Sequence, residues 1–181
     1  MLPPGTPVAQ DLVRAAADGT IAAMPLPGHE WQQVVDVVEA GSVEQFMALN
    51  TNMIAPEERR AVLGDAGFVR SVDVSYVYEA DHYSVHVMEF ASEQGALDYF
   101  DVHVGRICRD ALGLRPLDVP VGGVIYDRIT EGQRFPRALA VIGRYEVAVS
   151  VCQCVGVADL AAVGGSWMRA IAELAANGTP A

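Results

Sequence analysis

The sequence predicts an α+β fold: a mostly antiparallel sheet covered by two long helices, with an N-terminal helical segment leading into it. Three observations carry this. Residues 71–90 alternate in period two and reverse once, at Ala80-Asp81, which is the pattern of a hairpin. A second alternating pair, Arg137 to Ile142 and Arg144 to Gln153, folds back around Gly143. Each hairpin runs into a long stretch with apolar residues at helical spacing. With 181 residues, 51% of them apolar and 19% charged, the chain has material for one core. One domain over 1–181 is expected, divided into a loose tail (1–7), a helical segment (8–66) and a sheet-and-helix core (67–176).

Taken in order, Val8, Leu12, Val13 and Ala16 space a short helix to Ala17, and Met24-Pro25-Leu26-Pro27-Gly28 breaks it. Trp31, Val34, Val35 and Val38 fall on one helical face, so Glu30 to Glu39 reads as a helix. Ser42 is placed to cap a helix through Phe46, Met47 and Leu49. Pro56 with Glu57-Glu58 starts another, which runs to Asp65 and stops at Gly67. Val72, Val74, Tyr76 and Tyr78 then form one strand, and Tyr83, Val85 and Val87 the next, to Phe90. Ser92 caps a helix to about Leu112, with Leu97, Phe100, Val104, Ile107, Cys108 and Ala111 as its apolar stripe and Gly113 at its end. Val119 to Thr130 is a strand weakened at Gly122-Gly123. The hairpin at Gly143 follows, and Ala158 to Ala176 closes the chain as a helix with Leu160, Val163, Trp167, Ile171 and Leu174 on one side. Tyr83-Ser84-Val85-His86-Val87 and Tyr145-Glu146-Val147-Ala148-Val149 share Tyr-x-Val-x-Val before a long helix, which suggests repeated hairpin-helix units with the helices on one face of the sheet.

Charge excludes some functions. Twenty-three acids face 12 bases, all arginine, for a net charge of -11. Nucleic acid and anionic membranes demand a basic face, and none exists here. No apolar run reaches the roughly 18 residues of a membrane helix. Met1-Leu2-Pro3-Pro4-Gly5-Thr6-Pro7 has neither the basic nor the apolar region of a signal peptide. The localisation is therefore extracytoplasmic if an export signal has been removed and cytoplasmic otherwise. Cysteine chemistry bears on the same question. Cys152 and Cys154 share one face of a strand and cannot bridge each other, whereas Cys108 could reach either in an oxidising compartment. The alternative is three small buried thiols.

Candidate chemistry is sparse. His82 and His86, four apart in a strand rising about 3.3 Å per residue, lie roughly 13 Å apart and cannot share a metal ion. A polar sheet face with cross-strand pairs such as Glu79–His82 accounts for them. His103 sits beside the apolar stripe of its helix, and His29 has no partner in sequence. There is no G-x-S-x-G, S-x-x-K, H-E-x-x-H or C-x-x-C, and neither Gly122-Gly123 nor Gly164-Gly165 joins a strand to a helix as a phosphate loop does. No metal or other cofactor is expected. The aromatics are more suggestive: Tyr76, Tyr78, Tyr83, Phe100 and Tyr145 belong to the sheet or its covering helix. If the helices stand off, they line an apolar cavity with hydroxyls at its mouth, the usual composition of a small-ligand site.

The run Glu57-Glu58-Arg59-Arg60-Ala61-Val62-Leu63-Gly64-Asp65-Ala66-Gly67-Phe68-Val69-Arg70, followed by Val87-Met88-Glu89-Phe90-Ala91-Ser92 and Gly95-Ala96, resembles actinobacterial envelope proteins of unknown function, many of them lipoproteins. The resemblance spans about residues 57–176 and implies no catalytic residue. The first functional expectation is a non-enzymatic extracytoplasmic domain that binds a protein partner or a small apolar ligand. The alternative is a cytosolic dimeric α+β barrel enzyme, of small monooxygenase or cyclase type, using His86 or His103 in a pocket between helix and sheet. Sequence leaves the oligomeric state open.

Overall fold

The structure is a computed structural model, and it describes residues 11–21, 33–50, 55–78, 81–110, 112–116, 123–130, 133–152 and 160–177. The elements run α1 (Leu12–Ala17), β1 (Gln33–Ala40), α2 (Val43–Leu49), α3 (Pro56–Asp65), β2 (Phe68–Tyr78), β3 (Asp81–Phe90), α4 (Glu93–Asp110), β4 (Leu112–Pro116), β5 (Gly123–Thr130), β6 (Gln133–Ile142), β7 (Tyr145–Cys152) and α5 (Leu160–Asn177). The seven strands form one sheet in the order β1-β2-β3-β7-β6-β5-β4. All six pairings are antiparallel.

Alternation along each strand sorts side chains onto two faces. On the first, Val72, Val74, Val85, Val87, Val147 and Val149 are all at 0% exposure. They pack with α1 (Leu12, Val13, Ala16) and α5 (Met168, Ile171, Ala172, Leu174). Each fully buried aliphatic side chain contributes on the order of 1.5–3 kcal/mol, so this face is the main core. On the second face, Ala40, Met88 and Phe90 meet Phe46 and Met47 of α2, Leu63 of α3, and Ala96 and Tyr99 of α4. Further along, Tyr126, Leu139 and Ala148 meet Ile107, with Phe100 and Val104 beside them.

The two long helices therefore cover opposite faces, which corrects the expectation of helices on one face. The Tyr-x-Val-x-Val strands are symmetric in register: Val85 pairs with Val149 and Val87 with Val147. The helices that follow break the symmetry, because α4 packs on the second face and α5 on the first. The hairpin-helix order occurs twice along the chain, as β2-β3-α4 and β6-β7-α5, with the two helices on opposite faces. A dimeric α+β barrel presents a bare sheet face to its partner; helices occupy both faces here, which corrects that alternative.

Other elements differ from expectation for local reasons. The segment around Val34–Glu39 is an edge strand, not a helix. The register shifts between Val34 and Asp36, so one extra residue breaks the period-two pattern and imitates helical spacing. Its β-branched run suits a pleated surface better than a helix. The chain beyond α4 does not simply stop at Gly113: Leu112–Pro116 is a short edge strand on β5, with Pro116 exposed where no sheet bond is required. In α4 the buried stripe is rotated. Ala96, Tyr99 and Ile107 are buried, while Leu97 is 38% exposed and Cys108 is exposed and free. The reason is the polar contacts of Tyr99 and His103 described below, which aim that side of the helix at the sheet. Caps held where the sequence placed them: Ser42 Oγ accepts from Gln45 N–H and Ser92 Oγ from Gly95 N–H, both at helix starts.

Candidate functional site

Polar chemistry gathers on the second face. Arg59, on the exposed-to-half-buried side of α3, donates from Nη2 to the Tyr99 hydroxyl at 2.7 Å. Its guanidinium also lies over the rings of Phe46 and Tyr99, 5.8 and 5.9 Å from their centroids. One turn along α4, His103 stands edge-on to Tyr99 and its Nδ1 lies 3.0 Å from Glu146 Oε1. Arg106, one turn further, pairs with Glu58 of α3 at 3.0 Å. Glu146 comes from β7 and is 2% exposed; its Oε2 has no hydrogen-bond partner. Burial pushes the Tyr99 phenol up to about 12, so it remains protonated and donates or accepts as a neutral group. The His103–Glu146 pair fixes the orientation of the imidazole, the supporting half of an acid–base arrangement.

Next to this pair the sheet is less covered. His86 of β3 stacks on Phe46, with centroids 5.9 Å apart and planes 7° apart. Burial first, then the positive charges of Arg137 and Arg59 and the neighbouring His103, push its pKa down to about 3, so His86 is neutral at physiological pH. Asp73 is its register partner on β2. Its carboxyl is pushed up by burial, against the pull of Arg137 and with the push of Asp36.

One row further along the strands, a polar line crosses five of them. Asp36 (β1) pairs with Ser75 (β2), Ser75 with Ser84 (β3), Ser84 with Ser150 (β7), and Ser150 with Arg137 (β6). Asp36 is exposed; the three serines, Asp73, His86 and Arg137 are partly exposed. The row continues to Tyr126, which is buried under α4, and there the Arg137 Nε is shielded without a hydrogen-bond partner. Two helices thus border the row: α2 above His86 through Phe46, and α4 beyond Arg137.

A different cluster serves architecture. Glu89, 4% exposed, accepts from Arg70 at 2.5 Å and Arg144 at 2.7 Å, and Arg70 also pairs with Asp11 at 2.6 Å. These contacts tie α1 to the sheet and to the β6–β7 turn. A shallow recess of about 240 Å³ lies between α2 and α3, lined by Glu44, Met47, Ala48, Asn50, Pro56 and Arg60.

The residues singled out in sequence divide between the faces. Tyr76 and Tyr145 are buried on the α1/α5 face, and burial pushes both phenols up. Phe100 lies on the opposite face with Ile107 and Tyr126. Tyr83 is the register partner of Tyr76, and Tyr78 that of Asp81; their side chains lie outside the described residues, as does that of His82. The aromatic set therefore does not converge on one cavity. His86 and His103, by contrast, lie on the same face in one continuous cluster. Cys108 faces outward on α4, which corrects its placement on the buried stripe; Cys154 and the side chain of Cys152 lie outside the described residues. Among the described residues no three His, Cys, Asp or Glu side chains are grouped to hold a metal ion. Sequence reasoning missed Arg59, Tyr99, Glu146 and the serine row. Glu146 carried a signal: a carboxylate among the valines of a buried strand demands a partner.

No protein-family model matches the chain, and no curated protein matches it. Solved structures do. The extracellular domain of PknH from Mycobacterium tuberculosis superposes with a TM-score of 0.59 at 13% identity, covering 92% of this chain and 97% of that one. The two share a fold. An uncharacterised protein of Mycobacterium smegmatis, an Rv0999 ortholog, aligns at 11% identity and a TM-score of 0.47, over 92% of this chain and 97% of that chain. Among the described residues no helix is long and apolar enough to cross a membrane.

Proposed function

We propose that the chain is a non-enzymatic extracytoplasmic domain that binds its ligand on the α2–α4 side of the sheet. The observation that carries this reading is the contrast between the two faces. One is sealed by α1 and α5 down to 0% exposure of its valines, while the other leaves Ser75, Ser84, Ser150, His86 and Arg137 partly open between α2 and α4. Polar side chains left partly open in the middle of a sheet are accessible to a ligand. Catalysis is the weaker reading. His103 is oriented by Glu146, but among the described residues no serine, threonine or cysteine hydrogen-bonds to it, so the nucleophile of an acid–base relay is missing. The shared fold with an extracellular domain supports an extracytoplasmic location.

Cys108 supplies the test, because it is exposed. In intact cells a membrane-impermeant maleimide labels the wild-type chain at Cys108, and the Cys108→Ser variant loses that label. Labelling of Cys108 only after lysis refutes the location. Native mass spectrometry of the purified chain then reports any co-purified molecule.

A further inference from the structure

We propose that the Asp36–Ser75–Ser84–Ser150–Arg137 row binds an uncharged polyhydroxylated ligand, an oligosaccharide segment laid across the strands. The inference rests on the binding reading above and names the ligand class for that site. The first argument is the hydrogen-bond inventory. Each serine hydroxyl both donates and accepts, neutral His86 offers one donor and one acceptor, Asp73 accepts, and Arg137 donates from a planar fork. Sugar hydroxyls also donate and accept, so a row that mixes both functions matches them group for group. A ligand that only accepts, such as a phosphate, leaves the Asp73 and Asp36 acceptors facing it unpaired.

Charge gives the second argument. Asp36 and Arg137 stand at opposite ends of the row, Asp73 lies one position above it, and Arg59 lies behind Phe46. The two carboxylates and two guanidiniums balance. An anion seated at Arg137 is opposed by Asp73, and a cation at Asp73 is opposed by Arg137, since the two charges act on each other. The environment favours a ligand of no net charge.

Dimensions and order supply the third. Neighbouring strands lie about 4.8 Å apart, so the three serines span roughly 10 Å and the whole row roughly 19 Å. That is the reach of a short linear chain of rings, not of a single small ion. The row is rigid, since it is built on five hydrogen-bonded strands backed by the fully buried valines of the other face. Phe46 backs the His86 imidazole and holds its plane. Arg137 as a whole is partly exposed at the α4 end of the row, although its Nε is shielded and has no hydrogen-bond partner.

Histidine-ring and backbone-amide NMR reads the site directly. The neutral trisaccharides of glucose, mannose and N-acetylglucosamine are titrated to about 10 mM, above the roughly millimolar dissociation constants of shallow sites. The expected result is that at least one of them shifts the His86 ring and the Ser84 and Ser150 amides saturably, while acetate and inorganic phosphate do not. Ser84→Ala with Ser150→Ala weakens that binding about tenfold, the effect of removing two net hydrogen bonds. Arg137→Gln serves as a second variant with the same expected loss if the double alanine does not fold. The proposal is overturned if no trisaccharide moves these signals, if phosphate or acetate moves them instead, or if the folded variants bind as wild type does. Cys108 labelling on intact cells is independent of these outcomes, so failure here is distinguishable from failure of the location.

Discussion

Two glycines of α4 should respond to the same substitution with opposite sign. In isolation, Gly→Ala inside a helix gains up to about 1 kcal/mol, because alanine loses less backbone entropy on folding. At Gly105 nothing lies within 4 Å of the position a Cβ would take, so Gly105→Ala should stabilise the chain by about 0.5–1 kcal/mol. At Gly95, in the first turn after the Ser92 cap, a Cβ would fall against the Ala66 carbonyl oxygen and 3.1 Å from the Ala66 carbonyl carbon. Those are backbone atoms at the end of α3, where the chain turns through Gly67 at φ +71, and they cannot rotate aside. The two helices would have to separate, at a cost of about 1–3 kcal/mol or more that exceeds the propensity gain. Net destabilisation by Gly95→Ala should be about 1–2 kcal/mol. For a chain of this size each kcal/mol moves Tm by roughly 2–4 °C, so the two variants should melt roughly 5–10 °C apart. Differential scanning calorimetry and urea midpoints measure this. A Gly95→Ala protein as stable as wild type would refute the close α3–α4 approach, and with it the geometry that brings Arg59 to Tyr99.

Three further outcomes are expected. Glu89→Ala should lower stability by about 2 kcal/mol in urea unfolding: it leaves Arg70 and Arg144 without their buried acceptor, and their 37% and 51% exposure tempers the larger loss of a wholly buried pair. His86 has a folded pKa of about 3 against an ordinary 6.5, so below pH 6.5 the unfolded chain binds the extra proton and stability falls progressively toward pH 3. Between about pH 7 and about pH 4 the His86→Phe protein should lose less stability than wild type, and an equal loss would contradict a neutral His86. Burial raises the Asp11 carboxyl, but the Arg14 N–H and the Arg70 guanidinium outweigh it and hold the group below 3.8; its stabilisation is fully present above that value and lost as pH falls from there through the lower folded pKa. Asp11→Ala should therefore cost about 1–2 kcal/mol near neutral pH, combining a lost helix cap with a lost ion pair, and progressively less as acid protonates the carboxyl.

The sequence by itself determined the local elements wherever a single periodicity governed them. The β2–β3 and β6–β7 hairpins follow from clean alternation, and α2, α3 and α4 from caps at Ser42, Pro56 and Ser92 whose hydrogen bonds or ring geometry are local. It failed at β1, where one bulge residue disguised the alternation, and at β4, a five-residue edge strand whose pairing with β5 has no local signature. Which face each helix covers was decided by tertiary structure. Two chains with identical strand patterns can send their helices either way, and the choice here rests on long-range partners: Tyr99 with Arg59, His103 with Glu146, and the α5 stripe with the valines. The candidate site was illegible for the same reason. Asp36, Ser75, Ser84, Ser150 and Arg137 are spread over about a hundred residues and become neighbours only through register, which sequence spacing does not encode.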